Sequence, residues 1–318
     1  MFRNQYGEVR SGWAIALMLG AFIGLEFGLY ALLDALLAPV IDDPAVFWVE
    51  NSIISLAAIG VFVLLFRLLY RQPAAQMGLG RQAALKRSLL GMALGAGMFS
   101  IVFAALVLSG QAAVAPVTAA SLAAVTADPA FWISALAFLP AALFEEVMTR
   151  GYMMSALKTT RKRPVILLVP AATFGLLHLL NDGVTALSVA NVFLVGIFFA
   201  LLFIRTGNLW MPFGCHFAWN LFQGNVYGMQ VSGIETAGLL STAPTGSPLL
   251  TGGGFGPEGG LVVTAVLAAF ILWALLGLRQ NPAPEWDFRR PLARFTISSK
   301  PSFTIMKTGG FEDACIIE

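Results

Sequence analysis

The sequence predicts an all-α, polytopic membrane bundle of about eight transmembrane helices, and three observations lead there. Of the 318 residues, 58% are hydrophobic and only 11% are charged, against about a quarter charged in a soluble domain. Apolar runs of roughly 20 residues, the length that spans a bilayer, recur along the chain. Basic residues fall in every second linker between these runs, as in a multi-pass protein whose positive loops stay inside.

In order, the spans are expected near 12–34, 46–67, 88–110, 130–157, 164–181, 184–204, 208–230 and 259–279. Met1–Arg10 precedes an apolar run with no small-residue cleavage site, so that run reads as a first span rather than a removable signal. The fourth run is long enough to be one tilted helix or a helix broken at Pro140. Tight linkers at 181–183 and 205–208 punctuate the second half. Residues 76–87 are mildly amphipathic and basic; a short helix on the inner surface and a plain basic loop are both open. The Gly-, Pro- and Ser-rich stretch 241–260 predicts a flexible external connection. The organisation that follows has four parts: 1–87, a two-helix part with a basic cytoplasmic loop; 88–230, the helices carrying the polar site; 231–280, an external loop and last helix; and 281–318, a disordered cytoplasmic tail.

The linker charges set the orientation. Arg3 and Arg10 precede the first span, and Asp34, Asp42, Asp43 and Glu50 follow it. Arg67, Arg71, Arg81, Lys86 and Arg87 come next, and then 111–129 without a basic residue. Arg150, Lys158 and Arg161–Arg163 follow, then the acidic 181–183 turn, Arg205, the acidic loop 231–258 and a basic tail. Both termini are expected in the cytoplasm. The net charge of +2 suggests no nucleic-acid partner. Cys215 and Cys315 are too far apart in kind and place to frame a metal pair or disulfide network.

Against this background the ionisable residues inside the spans stand out, because a charge near the bilayer centre costs at least a few kcal/mol. Glu145, Glu146 and Arg150 lie in the fourth span, and the chain's two histidines, His178 and His216, in the fifth and seventh. Glu146 and Arg150 are four residues apart on one helical face and suit an internal ion pair, while Glu145 points about 100° away. Phe174 and His178 share a face, as do His216 and Asn220. A carboxylate and an imidazole can deprotonate a water, and an imidazole and an amide can donate to a developing oxyanion. No serine or cysteine has a comparable setting, and Cys215 diverges from His216 by about 100°. Each residue also has a structural reading: a packing hydrogen bond for a histidine, a stabilising pair for Glu146 and Arg150, a helix bridge for Asn220, and an interfacial ring for Tyr152. Glu26 in the first span stays unassigned between the same cavity and snorkelling.

Three motifs carry a resemblance. "EEVMTR" (145–150) has the form Glu-Glu-x-x-x-Arg, "FGLLH" (174–178) Phe-x-x-x-His, and "HFAWN" (216–220) His-x-x-x-Asn. In this order, on successive membrane helices, they resemble the CPBP family of intramembrane proteases, which includes CAAX prenyl endopeptidases and proteins of bacteriocin processing or immunity. The resemblance covers about 88–230. It implies an eight-helix core around a cavity open to the cytoplasm and partly to lipid. It further implies that Glu145 and His178 activate the water, that His216 and Asn220 form the oxyanion site, and that Glu146 and Arg150 position the set. The partners implied are a membrane-associated peptide or protein substrate, prenylated or leader-type, and the bilayer of a cell membrane.

The family is often labelled metalloprotease. Glu and two His are usual ligands of catalytic zinc, but the compact His-Glu-x-x-His spacing is missing, so metal-free water activation is expected, with zinc as the alternative. A non-catalytic immunity or partner-binding protein of the same fold is the second functional reading. A transporter is the third; it predicts inverted repeats and broken helices, neither of which is clear here. The chain ends in "CIIE", formally Cys-aliphatic-aliphatic-X, with an unusual final glutamate that reads as a chance tail.

Overall fold

The computed structural model describes residues 2–4, 9–37 and 45–280. The expected tail at 281–318, with Cys315, lies outside the described residues. Helix α1 (Ser11–Leu37) and helix α2 (Ala45–Tyr70) are followed by a 3-10 turn at Ala74–Met77 and helix α3 (Ala84–Leu108). Residues 76–87 therefore form the end of the 3-10 turn, a basic loop and the first turn of α3, with no separate surface helix; Met77 is packed into the core.

The 111–129 linker holds strand β1 (Ala112–Val114) and helix α4 (Ala119–Ala127), the latter capped by reciprocal bonds between Thr118 and Ser121. Helix α5 (Pro129–Glu146) starts on an Asp128 cap, runs through Pro140 unbroken, and passes at Val147–Met153 into a π-helical turn before helix α6 (Met154–Leu157). The irregularity of the long fourth span thus falls on the Glu-Glu-x-x-x-Arg motif instead of on the proline. Helix α7 (Arg163–Leu177), helix α8 (Ala186–Thr206) and helix α9 (Trp210–Leu221) follow, α9 continuing as a second π turn at Phe222–Val226. Strand β2 (Thr242–Pro244), helix α10 (Pro248–Thr251) and helix α11 (Leu261–Gln280) complete the described chain.

Among the described residues, six helical spans are long and apolar enough to cross a membrane: 11–37, 46–70, 84–108, 129–160, 163–180 and 186–206. They coincide with the first six expected spans. The seventh run forms the shorter α9, roughly 18 Å long at 1.5 Å per residue, and the eighth is apolar over Leu261–Gly277.

The expectation of a flexible connection at 241–260 is overturned. β2 pairs antiparallel with β1, with Ala112 opposite Pro244 and Val114 opposite Thr242. Two further 3-10 turns, Gly253–Phe255 and Pro257–Gly259, bring Phe255 and Glu258 into buried positions. The glycines are used for backbone shape: Gly256 has φ +88°, and a Cβ there would collide with the carbonyl of Gln230. A Gly-rich composition here encodes a tight, packed cap.

Close helix approach is set by small residues. Gly91 and Gly95 of α3 face the backbone of Met211 and Cys215 on α9, and Gly214 of α9 faces the carbonyl of Ser88; a Cβ at any of the three would strike main chain. This contact fixes the height and rotation of α9. Tyr152 also departs from expectation. It is fully buried, and its hydroxyl donates to the Ala14 carbonyl at 3.0 Å, tying α1 to the core. A ring with one polar tip suits an interface or a buried acceptor equally, and the position of α1 decides for the latter.

Candidate active site

The two glutamates part at the end of α5. Glu146 turns inward and is sealed, while Glu145, with 27% of its side chain exposed, faces a cavity of about 790 Å³. Behind Glu146 sits Arg150, also buried. Its Nη1 donates to Glu146 Oε1 at 3.1 Å and to Thr149 Oγ1 at 2.6 Å, and its Nη2 to the Gly196 carbonyl on α8 at 3.2 Å. The guanidinium lies over the rings of Phe174, 4.7 Å from the centroid, and Phe199, at 5.3 Å. The π turn leaves backbone groups to satisfy; Thr149 Oγ1 donates to the Glu145 carbonyl at 2.5 Å. The expected ion pair is present, and a hydroxyl, a carbonyl and two aromatic faces complete its surroundings.

His216 bridges the sealed and open carboxylates. Its Nδ1 lies 3.1 Å from Glu146 Oε1, the oxygen that also takes Arg150, and its Nε2 lies 3.5 Å from Glu145 Oε2. A nitrogen beside an ionised carboxylate carries the proton, so Nδ1–H donates to Glu146. The 3.5 Å gap to Glu145 is an ion-pair distance, longer than a direct hydrogen bond. Phe199 stacks on the imidazole at 5.1 Å and Phe174 meets it edge-on at 5.9 Å.

His178 closes α7. Its Nδ1 lies 2.8 Å from the Phe174 carbonyl four residues back, and its ring meets Phe174 edge-on at 5.0 Å. A carbonyl only accepts, so Nδ1 carries hydrogen and Nε2 is the ring position left to accept a proton. Phe174, the first residue of its motif, is therefore an aromatic partition touching Arg150 and both imidazoles.

Of the six expected site residues, Glu145, His178, His216 and Asn220 line the one cavity, and Glu146 and Arg150 support it from behind. Among the described residues neither glutamate pairs with His178 within 4.0 Å; the direct contact belongs to His216. Glu26 also lines the cavity, which answers the question left by its sequence position.

Sequence reading missed a second polar group on the wall. Glu258 Oε2 accepts from the backbone N–H and hydroxyl of Ser232, both at 2.7 Å, and Asn181 Nδ2 donates to the Ser232 carbonyl at 2.8 Å. Asn191 Nδ2 donates to the carbonyls of Glu258, at 2.7 Å, and Gly260, at 3.0 Å, while its Oδ1 accepts from Thr264 at 2.7 Å. The one available signal was Asn191, an amide inside an apolar span.

A catalytic zinc would need three protein donors together. Glu145 Oε2 and His216 Nε2 have the separation of two ligands on one tetrahedral ion, roughly 3.4 Å for bonds of about 2.0–2.1 Å. Among the described residues, however, no group of three or more His, Cys, Asp or Glu is gathered closely enough to hold a metal. The residues present do not fit a zinc centre.

Residues 127–222 match the family model "Type II CAAX prenyl endopeptidase Rce1-like", a segment that contains every one of the six site residues. No curated protein and no solved structure matches the chain. With its long apolar helices the protein is a multi-pass membrane protein, and over residues 127–222 it is similar to the Rce1-like type II CAAX prenyl endopeptidases.

Proposed function

We propose that this chain is an endopeptidase of the cell membrane that hydrolyses a peptide bond of a membrane-associated peptide with a water activated by Glu145 and His178. What supports the reading is the shared cavity: one exposed carboxylate, two imidazoles and an amide from three helices converge on it, backed by the sealed Glu146–Arg150 pair. His178, its tautomer set by the Phe174 carbonyl, offers Nε2 as a proton acceptor. Glu145 is the carboxyl group on the wall of the same cavity. As the water oxygen bonds to the substrate carbonyl carbon, its proton passes to this pair, and the oxyanion is met by Asn220 Nδ2 and by the Nε2–H of His216, which donates from both ring nitrogens as the imidazolium held between the two carboxyl groups. Collapse breaks the C–N bond, and the proton held by the pair goes to the leaving amine, so water is divided between the two products. Glu146 and Arg150 act as positioning residues through His216. The aromatic wall of Phe22, Phe27, Phe47, Trp48, Phe138 and Phe144 suits an apolar segment of the substrate.

The test is cleavage of membrane peptides by purified protein. Glu145→Gln and His178→Ala should each reduce turnover by about 10²–10⁴-fold, the range of general acid–base catalysis, with unfolding unchanged. Full turnover in either variant would remove the assignment. A strong chelator should leave wild-type turnover intact, and loss of turnover restored by zinc would overturn the metal-free reading.

A further inference from the structure

The helices give the cavity a direction. Consecutive spans run in opposite senses, yet the cavity residues of α1, α2, α7 and α9 fall toward one end of the bundle, while α5 supplies Ala137 to Glu145 from the middle of the long span 129–160. Helix α1 contributes Phe22 to Tyr30 from its second half, and α2 contributes Phe47 to Ser55 from its first. Helix α7 contributes only its last turns, Phe174 onward, and α9 contributes His216 onward. The other end of these helices carries the basic residues, Arg67 in the last turn of α2 and Arg71 after it, Lys158, Arg161 and Lys162 before α7 and Arg163 at its start, and Arg205 before α9. At the cavity end, the segments 109–128, 181–185 and 227–260 contain no Lys or Arg. The floor is buried at Met148 and Phe199, and the rim is open at Phe27, 77% exposed, and Leu180, 96% exposed.

Since positive loops remain in the cytoplasm, we propose that the cavity opens on the side of the membrane opposite the cytoplasm and takes its peptide from there. This is the reverse of the access that the family resemblance implies, and it rests on the peptidase reading only for calling the occupant a substrate. The lining adds a chemical preference. Glu26, Glu145 and Glu258 line the cavity, and neither lysine nor arginine does among the described residues; Arg150 is spent on Glu146 behind the wall. A free C-terminal carboxylate finds no cation there. The chemistry favours an apolar peptide bearing lysine or arginine.

Single-cysteine variants of the full chain in intact cells test this, with Cys315 replaced by serine and the signal of the buried Cys215 taken as blank. An impermeant maleimide should label Asp182→Cys at the cavity end and Asn51→Cys on the cavity wall without permeabilisation. Lys162→Cys in the basic linker should react only after it. The opposite pattern, or Asn51→Cys reacting only from the cytoplasmic side, overturns the proposal. If Asn51→Cys perturbs the wall, Ser55→Cys, also lining the cavity, is read in its place. A lysine-bearing apolar peptide added outside should protect the wall cysteine at roughly tenfold lower concentration than its glutamate-bearing twin, a difference of about 1.4 kcal/mol. Equal or inverted protection overturns the charge preference. Neither readout needs turnover, so loss of the peptidase reading and loss of this one are told apart.

Discussion

The two ends of the bundle are made from the same apolar helices and packed in opposite ways. Toward the basic linkers, Phe62, Phe66, Met148, Tyr152 and Phe203 interlock into a fully buried core. Toward the other end the same helices stand around a cavity of about 790 Å³ with three carboxylates on its wall. The proposed chemistry lies on the boundary. Glu146 and Arg150 belong to the packed end, Glu145 and His178 to the hollow one, and His216 touches both. The difference teaches that a membrane protein can hold an ionisable group on the wall of an open cavity by anchoring its neighbour in a packed core: the buried pair fixes the geometry and the cavity leaves room for a ligand.

The comparison breaks first if the packed end does not need its ion pair. Arg150→Ala strands a buried carboxylate and should lower the unfolding free energy by about 3–5 kcal/mol, read by thermal or denaturant unfolding in detergent; a melt equal to wild type would refute the anchoring role. A smaller effect is expected where the two ends share a helix. Gly95→Ala drives a methyl into the backbone of Cys215, next to His216, and overpacking of this kind typically costs about 1–3 kcal/mol. Turnover should fall by more than stability alone explains, because α9 carries His216 and Asn220. Unchanged kcat in a well-folded variant would show that α9 is not positioned by α3. The smallest effect belongs to the packed end alone. Tyr152→Phe removes the bond to the Ala14 carbonyl, worth about 0.5–1.5 kcal/mol, and should leave kcat as it was. A change in kcat would mean that the core and the cavity are coupled through α1.

Much of the architecture is readable without coordinates. The spans at 12–34 and 184–204 coincide with Ser11–Leu37 and Ala186–Thr206 because run length against bilayer thickness is a one-dimensional property. The Glu146–Arg150 pair is equally local, four residues apart on a continuous turn. The cap at 241–260 was misread for the converse reason. Its order comes from partners far away, Glu258 with Ser232 and Gly256 against Gln230, and a Gly-rich stretch looks the same whether its glycines are loose or wedged.

The sequence by itself determined that the chain crosses a membrane many times, that its positive linkers alternate, and that three helices carry the ionisable residues, since hydrophobic periods and i, i+4 spacings are properties of single segments. Only the tertiary structure decided that His216, not His178, bridges the two glutamates, and that Tyr152 is buried. It alone also decided that the cavity residues of α1, α2, α7 and α9 fall toward the end away from the basic linkers. These outcomes depend on the height and rotation at which one helix meets another, set here by glycines of α3 pressed against the backbone of α9, and no single segment encodes such a contact.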